Sequence, residues 1–404
     1  MQIPVIGDII HVTLPGNRRA AAIICGGNLL KGVINIHLFH DGGETQYYSG
    51  VKYSEKPAPG TWGWPEKPRL SPSSDFGVTK EPTKELKNNE RAKVSVVDCH
   101  RHLGGCISPE FVWQYIQDTD STYLGESLEE VRLAMTFQPG EQPGFHRFLD
   151  KFRILDEIKW TPELIDKSIM QVCRDLDVDY TWLRFSINKY MKIGWHKKEA
   201  IQFVSDSFQK HAPNKVGLML SLKYESTRAS QRQYAALIDD PDIASRLVGL
   251  DLVGDEAAFD FDFYLPIVTN WINYGKIVCA HVGESQPALN VMRALDMGIV
   301  DICHGVRIIT DPGSKMMIAR AKDKGVTFHL AVTSNYLAGI IPHGSIHPAV
   351  AMFNCGLAIT IGTDDPIQCN TTLAKEFAKL EAHMSADTIR IIKNTAAARA
   401  NISQ

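Results

Sequence analysis

From residue 94 onward the chain alternates between short apolar runs and helical stretches, and this alternation restricts the fold more than any other feature. The runs are SVVDCH (95–100), DYTWLRFS (179–186), KVGLMLSL (215–222), LVGLDLVG (247–254), KIVCAHVGE (276–284), VDICHG (300–305), VTFHLAVTS (326–334) and LAITIGTDDP (357–366). Most are continuously apolar, as parallel strands covered on both faces are. Helical stretches separate them, among them KKEAIQFVSDSFQK (197–210), FDFYLPIVTNWINY (261–274), PALNVMRALDMG (287–298) and GSKMMIARAKDKG (313–325). Eight such alternations predict an α/β fold, a (β/α)8 TIM barrel. The long gap after the first run predicts extra helices over the barrel mouth, including 144–158, where insertions often line a site. A doubly wound open sheet is the alternative, but no G-x-G-x-x-G follows the first run.

The 404 residues suit one large barrel plus an accessory unit. Residues 1–53 read as a small all-β domain, in which β-rich runs alternate with turn clusters such as Pro15-Gly16-Asn17 and Asp41-Gly42-Gly43. Residues 54–92 carry six prolines among Ser, Lys and Glu, a linker or wrapping arm. Residues 93–404 form the barrel. The GDIIHVTLPG, HLFHDGG and TWGWPEK stretches, the last with Trp62 and Trp64, resemble small all-β domains encoded in tailed-phage genomes. That resemblance carries no function.

A net charge of −3 argues against a surface built for non-specific nucleic-acid binding. The eight cysteines show no C-x-x-C spacing, which excludes a zinc ribbon and a thioredoxin motif. Cys99, Cys279 and Cys303 lie in apolar runs, as buried free thiols do, so a reducing cytoplasm is expected. MQIPVIGDIIHV lacks a basic n-region, and no apolar run approaches a membrane span.

Barrel active sites sit at the C-terminal ends of the strands. Those ends carry His100 and His102, then Gly254, Asp255 and Glu256, then His281 and Glu284, then His304, then Asp364 and Asp365. A buried imidazole or carboxylate is costly unless paired or metal-bound. A core His beside a capping Glu would explain one such end, but not five. Residues i and i+2 of a strand share a side, so His100 and His102 aim together while Arg101 points away. With His281 and Asp364 they make a three-nitrogen, one-oxygen set suited to Zn2+. Taken separately, H-x-H could be a solvated pair and Asp-Asp-Pro a capped turn.

The motifs DCHRHLGG (98–105), FLDKF (148–152), LVGLDLVGDE (247–256), HVGE (281–284), CHGVRIITDP (303–312), TSN (333–335), HP (347–348) and TDDP (363–366) occur in one order. Over 94–401, about three quarters of the chain, this pattern resembles the adenosine deaminase family of metal-dependent hydrolases. The resemblance implies that His100, His102, His281 and Asp364 hold Zn2+, and that Glu284 protonates purine N1. It implies that His304 orients and deprotonates the attacking water, that Asp365 contacts N7 and that the Gly254 backbone contacts N3. The implied reaction is hydrolytic deamination of a 6-aminopurine nucleoside or nucleotide to the 6-oxo purine and ammonia. Its implied partner is a small purine, and a homo-oligomer is left open. The Cys-rich zinc deaminases would show H-x-E with P-C-x-x-C, which this chain lacks.

One position departs from the pattern. Where the family's nucleoside deaminases carry an Asp that holds the 5′-hydroxyl, this chain has Gly104. That leaves room for a larger or charged 5′ group. Arg153, Lys223 and Arg228 are either charges serving that group or solvated surface residues. Two other functions stay open: a catalytically silent barrel whose N-terminal domain binds or assembles, and an amidohydrolase acting on another base.

Overall fold

The computed structural model describes residues 96–401, together with the strand backbone at 9–14, 18–28, 33–39, 45–53 and 61–63. Two units divide the chain, Met1–Arg91 and Ala92–Gln404. In the first unit five strands, β1 (Ile9–Leu14), β2 (Arg18–Asn28), β3 (Val33–Phe39), β4 (Thr45–Tyr53) and β5 (Thr61–Gly63), pair in sequence order, and β5 returns to β1. Trp64 and the rest of the Pro-rich arm lie outside the described residues.

The second unit contains all eight predicted runs as strands: β6 (Val97–His102), β7 (Tyr180–Phe185), β8 (Val216–Lys223), β9 (Gly249–Val253), β10 (Ile277–Val282), β11 (Asp301–His304), β12 (Thr327–Leu330) and β13 (Ala358–Ile361). Neighbours pair in parallel from β6 to β13. The ring nearly closes through one parallel bridge, Arg101 to Asp364. There the His102 N–H donates to the Asp364 carbonyl at 2.8 Å and the Asp364 N–H to the His100 carbonyl at 2.7 Å. With helices between its strands, this is the architecture of a TIM barrel. Among the described residues no helix is long and apolar enough to cross a membrane.

The barrel interior is layered. Val97, Cys99, Trp182, Met219, Cys279 and Cys303 pack together with Ala396 and Ala400 of the C-terminal helix. Within the barrel lies the fully buried Arg184. Its Nε donates to Asp251 Oδ1 at 3.1 Å, and its remaining nitrogens reach the Cys99 carbonyl and the Cys279 and Cys303 sulfurs. With the Trp182 carbonyl also accepting from Nη1 at 3.5 Å, a buried guanidinium is tolerable because its donors find acceptors there.

Two expectations are corrected. The stretch 144–158 is not one helix but two short ones, Phe145–Asp150 and Arg153–Glu157. The break falls where the Lys151 ammonium turns inward to the Leu133 carbonyl at 3.1 Å and to Glu141 at 3.0 Å. The run 326–334 ends as a strand at Leu330, and a helix follows at Val332–Leu337. The Glu376 carboxylate accepts the Thr333 N–H at 2.9 Å, satisfying a donor that a helix start leaves open.

Candidate active site

The strand ends bring the predicted residues to one rim. Nε2 of His100 and of His102 lie 3.3 Å and 3.2 Å from the same oxygen, Asp364 Oδ1. The His281 ring lies 5.0 Å and 5.3 Å, centroid to centroid, from these two. One ligand atom each from His100, His102 and His281 falls within 4.8 Å of the others, and the same holds for His100, His304 and Asp364. A tetrahedral centre with bonds of about 2.0–2.1 Å has ligand–ligand edges of about 3.3–3.4 Å. The two measured His–Asp364 separations match that edge.

The chemistry of the donors fits a metal as well. His100 Nδ1 donates to the His329 carbonyl at 2.9 Å, which leaves Nε2 as the lone-pair nitrogen. That Nε2 is buried and has no hydrogen-bond partner. His281 Nε2 lies 3.1 Å from Asp251 Oδ1, so a carboxylate supports this imidazole from behind. Burial pulls the Asp251 carboxyl upward, but His281 and Arg184 hold it down at about 2. Arg101 turns the other way, as expected, into Asp98 and Asp177.

Asp364 and His304 adopt φ of +59° and +61°, a region sparsely used by residues other than Gly. Strain of this kind persists only where the surroundings fix it. For Asp364 the two bridge hydrogen bonds do so, with Ser334 Oγ donating to Oδ2 at 2.7 Å.

Glu284 stands beside His304, Oε1 to Nδ1 3.5 Å. Removal from water, reinforced by Asp364, pushes the Glu284 carboxyl up to about 8. Burial and the neighbouring His100 hold the His304 imidazole well below its usual range, so it is neutral near pH 7. Asn335 ties the two together, its Nδ2 lying 3.2 Å from Glu284 Oε1 and 3.1 Å from His304 Nδ1. Its orientation is set in turn. His347 Nδ1 accepts the Ala349 N–H at 3.1 Å, so His347 Nε2 carries the proton that Asn335 Oδ1 accepts, also at 3.1 Å. Asn335 and His347 belong to the TSN and HP motifs, to which sequence reasoning assigned no role. Asp251 was likewise passed over, although a carboxylate inside an apolar run is itself a signal.

Asp365 is buried against Gly105. A Cβ on Gly105 would come within 2.1 Å of Asp365 Oδ1, so no side chain fits there. Burial and the Asp364 charge push the Asp365 carboxyl up to about 8. Gly104 begins a short 3-10 turn, Gly104–Cys106, and its Cβ position is open apart from the Phe152 ring at 3.9 Å. Gly254 has φ +112° and lies against Glu225. Arg153 is exposed 3.7 Å from Asp150, Arg228 binds Asp260 at 2.9 Å, and Lys223 is exposed at the end of β8. For Arg153 and Arg228 these ion pairs favour the surface reading.

The family profile described as adenosine deaminase matches residues 96–403. The chain belongs to the adenosine deaminase family. As a member it is a metal-dependent deaminase enzyme, and its chemistry is the hydrolytic deamination of a purine. An adenosine deaminase of Shewanella denitrificans is 25% identical over 304 residues, 72% of this chain and 88% of the relative. Two solved structures share the fold. One, a Burkholderia ambifaria amidohydrolase with bound zinc, has TM-score 0.65 and 18% identity over 77% of this chain and 90% of its own. The other, the N6-methyl-AMP deaminase of Arabidopsis thaliana, has TM-score 0.64 and 17% identity over 77% and 93%.

His281→Ala removes one of the three candidate nitrogen ligands and leaves Asp251 facing a cavity. The variant is expected to keep its far-ultraviolet circular dichroism and to lose its metal and all turnover. Elemental analysis checks this; a full metal equivalent in folded His281→Ala would contradict the ligand assignment.

Proposed function

We propose that this deaminase is zinc-dependent and acts on a 6-aminopurine nucleoside or nucleotide whose 5′ position is left open. The observation that carries the reading is the convergence of His100 and His102 on Asp364, with His281 in ligand range of both, beside a Glu284 whose carboxyl is pushed up to about 8. These four ligands would hold Zn2+. The bound ion would supply Lewis acidity and lower the pKa of water to about 7.

The remaining chemistry belongs to side chains. Glu284, holding its proton at neutral pH, delivers it to purine N1 as water adds at C6, which lowers the charge that builds up on the ring. Asp365 in its acid form offers an O–H to N7, a lone-pair acceptor that a carboxylate would repel. His304, its Nδ1 accepting from Asn335, presents Nε2–H to orient the water. To take the water's proton at Nε2 it needs the other tautomer, whose Nδ1–H must turn from the Asn335 Nδ2 donor toward Glu284 Oε1, 3.5 Å away. Ammonia then leaves C6 and the 6-oxo purine remains. The Gly254 backbone would contact N3. A catalytically silent barrel has no use for a neutral acid held by an Asn–His relay, and that reading is set aside. Residues 1–53 are read as a separate all-β domain related to tailed-phage domains, and the enzyme as cytoplasmic. The free state of the seven described cysteines supports the latter.

Glu284→Gln keeps the shape and the metal ligands but has no proton to give. Its turnover is expected to fall by about 10²–10⁴-fold, the usual contribution of a positioned acid. Because the protonated forms of Glu284 and Asp365 are the active ones, wild-type kcat/KM should decline above pH about 8. An ultraviolet assay of 6-aminopurine loss checks both. Turnover of Glu284→Gln within a few-fold of wild type, or a limb near pH 4–5 alone, would contradict the assignment.

Gly104 bears on the substrate. Its φ lies outside the left-handed region and its Cβ position is open, so Gly104→Asp introduces a carboxylate without backbone strain. Such a group accepts from a 5′-hydroxyl and repels a 5′-phosphate. Recognition contacts of this kind reach about 10⁴-fold in favourable cases. Wild type is expected to turn over at least one 5′-substituted adenosine as well as adenosine, and Gly104→Asp to shift the kcat/KM ratio toward the free nucleoside. A plate of adenosine, deoxyadenosine, their phosphates and 5′-thio forms measures this. Strong wild-type preference for free adenosine would overturn it.

A further inference from the structure

Glu256 lies in a 3-10 turn, Glu256–Ala258, just after β9, and is 4% exposed although it carries a carboxylate. A buried carboxylate is stable only if donors replace its water. Here six do, and all come from the segment 283–290. Oε1 accepts the Gly283 N–H at 2.6 Å and Asn290 Nδ2–H at 3.0 Å. Oε2 accepts the N–H groups of Glu284, Ser285 and Gln286 at 3.2, 3.1 and 2.9 Å, and the Ser285 hydroxyl at 3.4 Å.

Four consecutive backbone N–H groups pointing at one anion form a nest, a concavity that ordinarily binds a free anion. It starts at Gly283, whose φ of +65° turns the chain, and any Cβ there would meet Val291 at 2.6 Å. In this chain the anion is built in. The segment so gathered is the one that carries Glu284, and no strand pairing holds it, since β10 ends at Val282. Arg307 clasps the same turn from β11's side, its N–H to the Gly283 carbonyl and its Nε–H to the Glu284 carbonyl, both at 3.0 Å.

We infer that Glu256 is the positioning residue for the Glu284 acid: its carboxylate fixes the 283–286 backbone so that the Glu284 side chain stands at the reacting face. This rests on the reading of Glu284 as the proton donor. Glu256 touches no candidate metal ligand among its hydrogen-bond partners, so its effect should reach the rate without reaching the metal. Misplacing a reacting group by an ångström costs about 10²-fold in rate.

Two measurements test the inference on the full chain. In the wild type, the amides of Glu284, Ser285 and Gln286 should exchange with solvent as slowly as the β10 amides, although they lie in a loop; exchange at ordinary loop rates would overturn the inference without any variant. Glu256→Gln keeps the length but sets an NH2 against N–H donors. It should retain zinc and secondary structure, lose about 10²-fold in kcat with KM within a few-fold, and exchange fast at 284–286 with β10 unchanged. Glu256→Asp, charged but one methylene short, should fall between the two. Loss of zinc in Glu256→Gln, or kcat within about threefold of wild type, would overturn it. The two readings fail differently. If Glu284 is not the acid, Glu284→Gln itself stays active; if only Glu256 is misread, Glu284→Gln is inactive and Glu256→Gln is active.

Discussion

The site depends on one short seam. Where the last strand returns to the first, the Asp364 N–H and carbonyl each bond to the HRH segment. That pair of backbone hydrogen bonds does what a sheet edge must do to stop being an edge. It also sets a carboxylate from just beyond the barrel's last strand between two imidazoles from the barrel's first. The left-handed backbone at Asp364 is part of the same arrangement, because it turns the side chain over the rim. Without closure, His100 and His102 would share a strand with no oxygen to complete the set.

Beneath the rim the barrel is polar where a simple core would be apolar. Arg184, Asp251 and Ser221 connect β7, β9 and β8, and Asp251 passes that order to His281. On one side of the rim a second relay, Ala349 to His347 to Asn335, sets the donors that face Glu284 and His304. On another, Glu256 gathers the loop that carries Glu284. His281, His304 and the Glu284 loop are thus each fixed from behind by a neighbouring group, the arrangement that keeps a constellation in working geometry.

Much of this was legible in the sequence and some was not, for physical reasons. The strands were legible because a strand buried on both faces must be apolar along its whole length, and all eight runs became strands. The rim was legible because polar residues at the ends of apolar runs have few structural uses, and H-x-H has a fixed meaning on a pleat. Asp251 and Arg184 were not, since their pairing spans 67 residues and periodicity reports only local order. The relay through Asn335 and His347 was hidden for the same reason, one member lying in the helix Val332–Leu337 and the other in the connection after it. The break at Lys151 escaped because a helical period continues through it, and only the tertiary pull of Glu141 and the Leu133 carbonyl ends the helix.

The metal centre we propose is built from three imidazoles and one carboxylate. X-ray absorption at the zinc edge of the purified full chain tests it most directly. One zinc per chain is expected, with nitrogen and oxygen neighbours only, at about 2.0–2.2 Å. A sulfur neighbour at about 2.3 Å would contradict it, and would point to Cys303, which shares a ligand-range cluster with His281 and Asp251. So would protein that turns over substrate with no zinc bound.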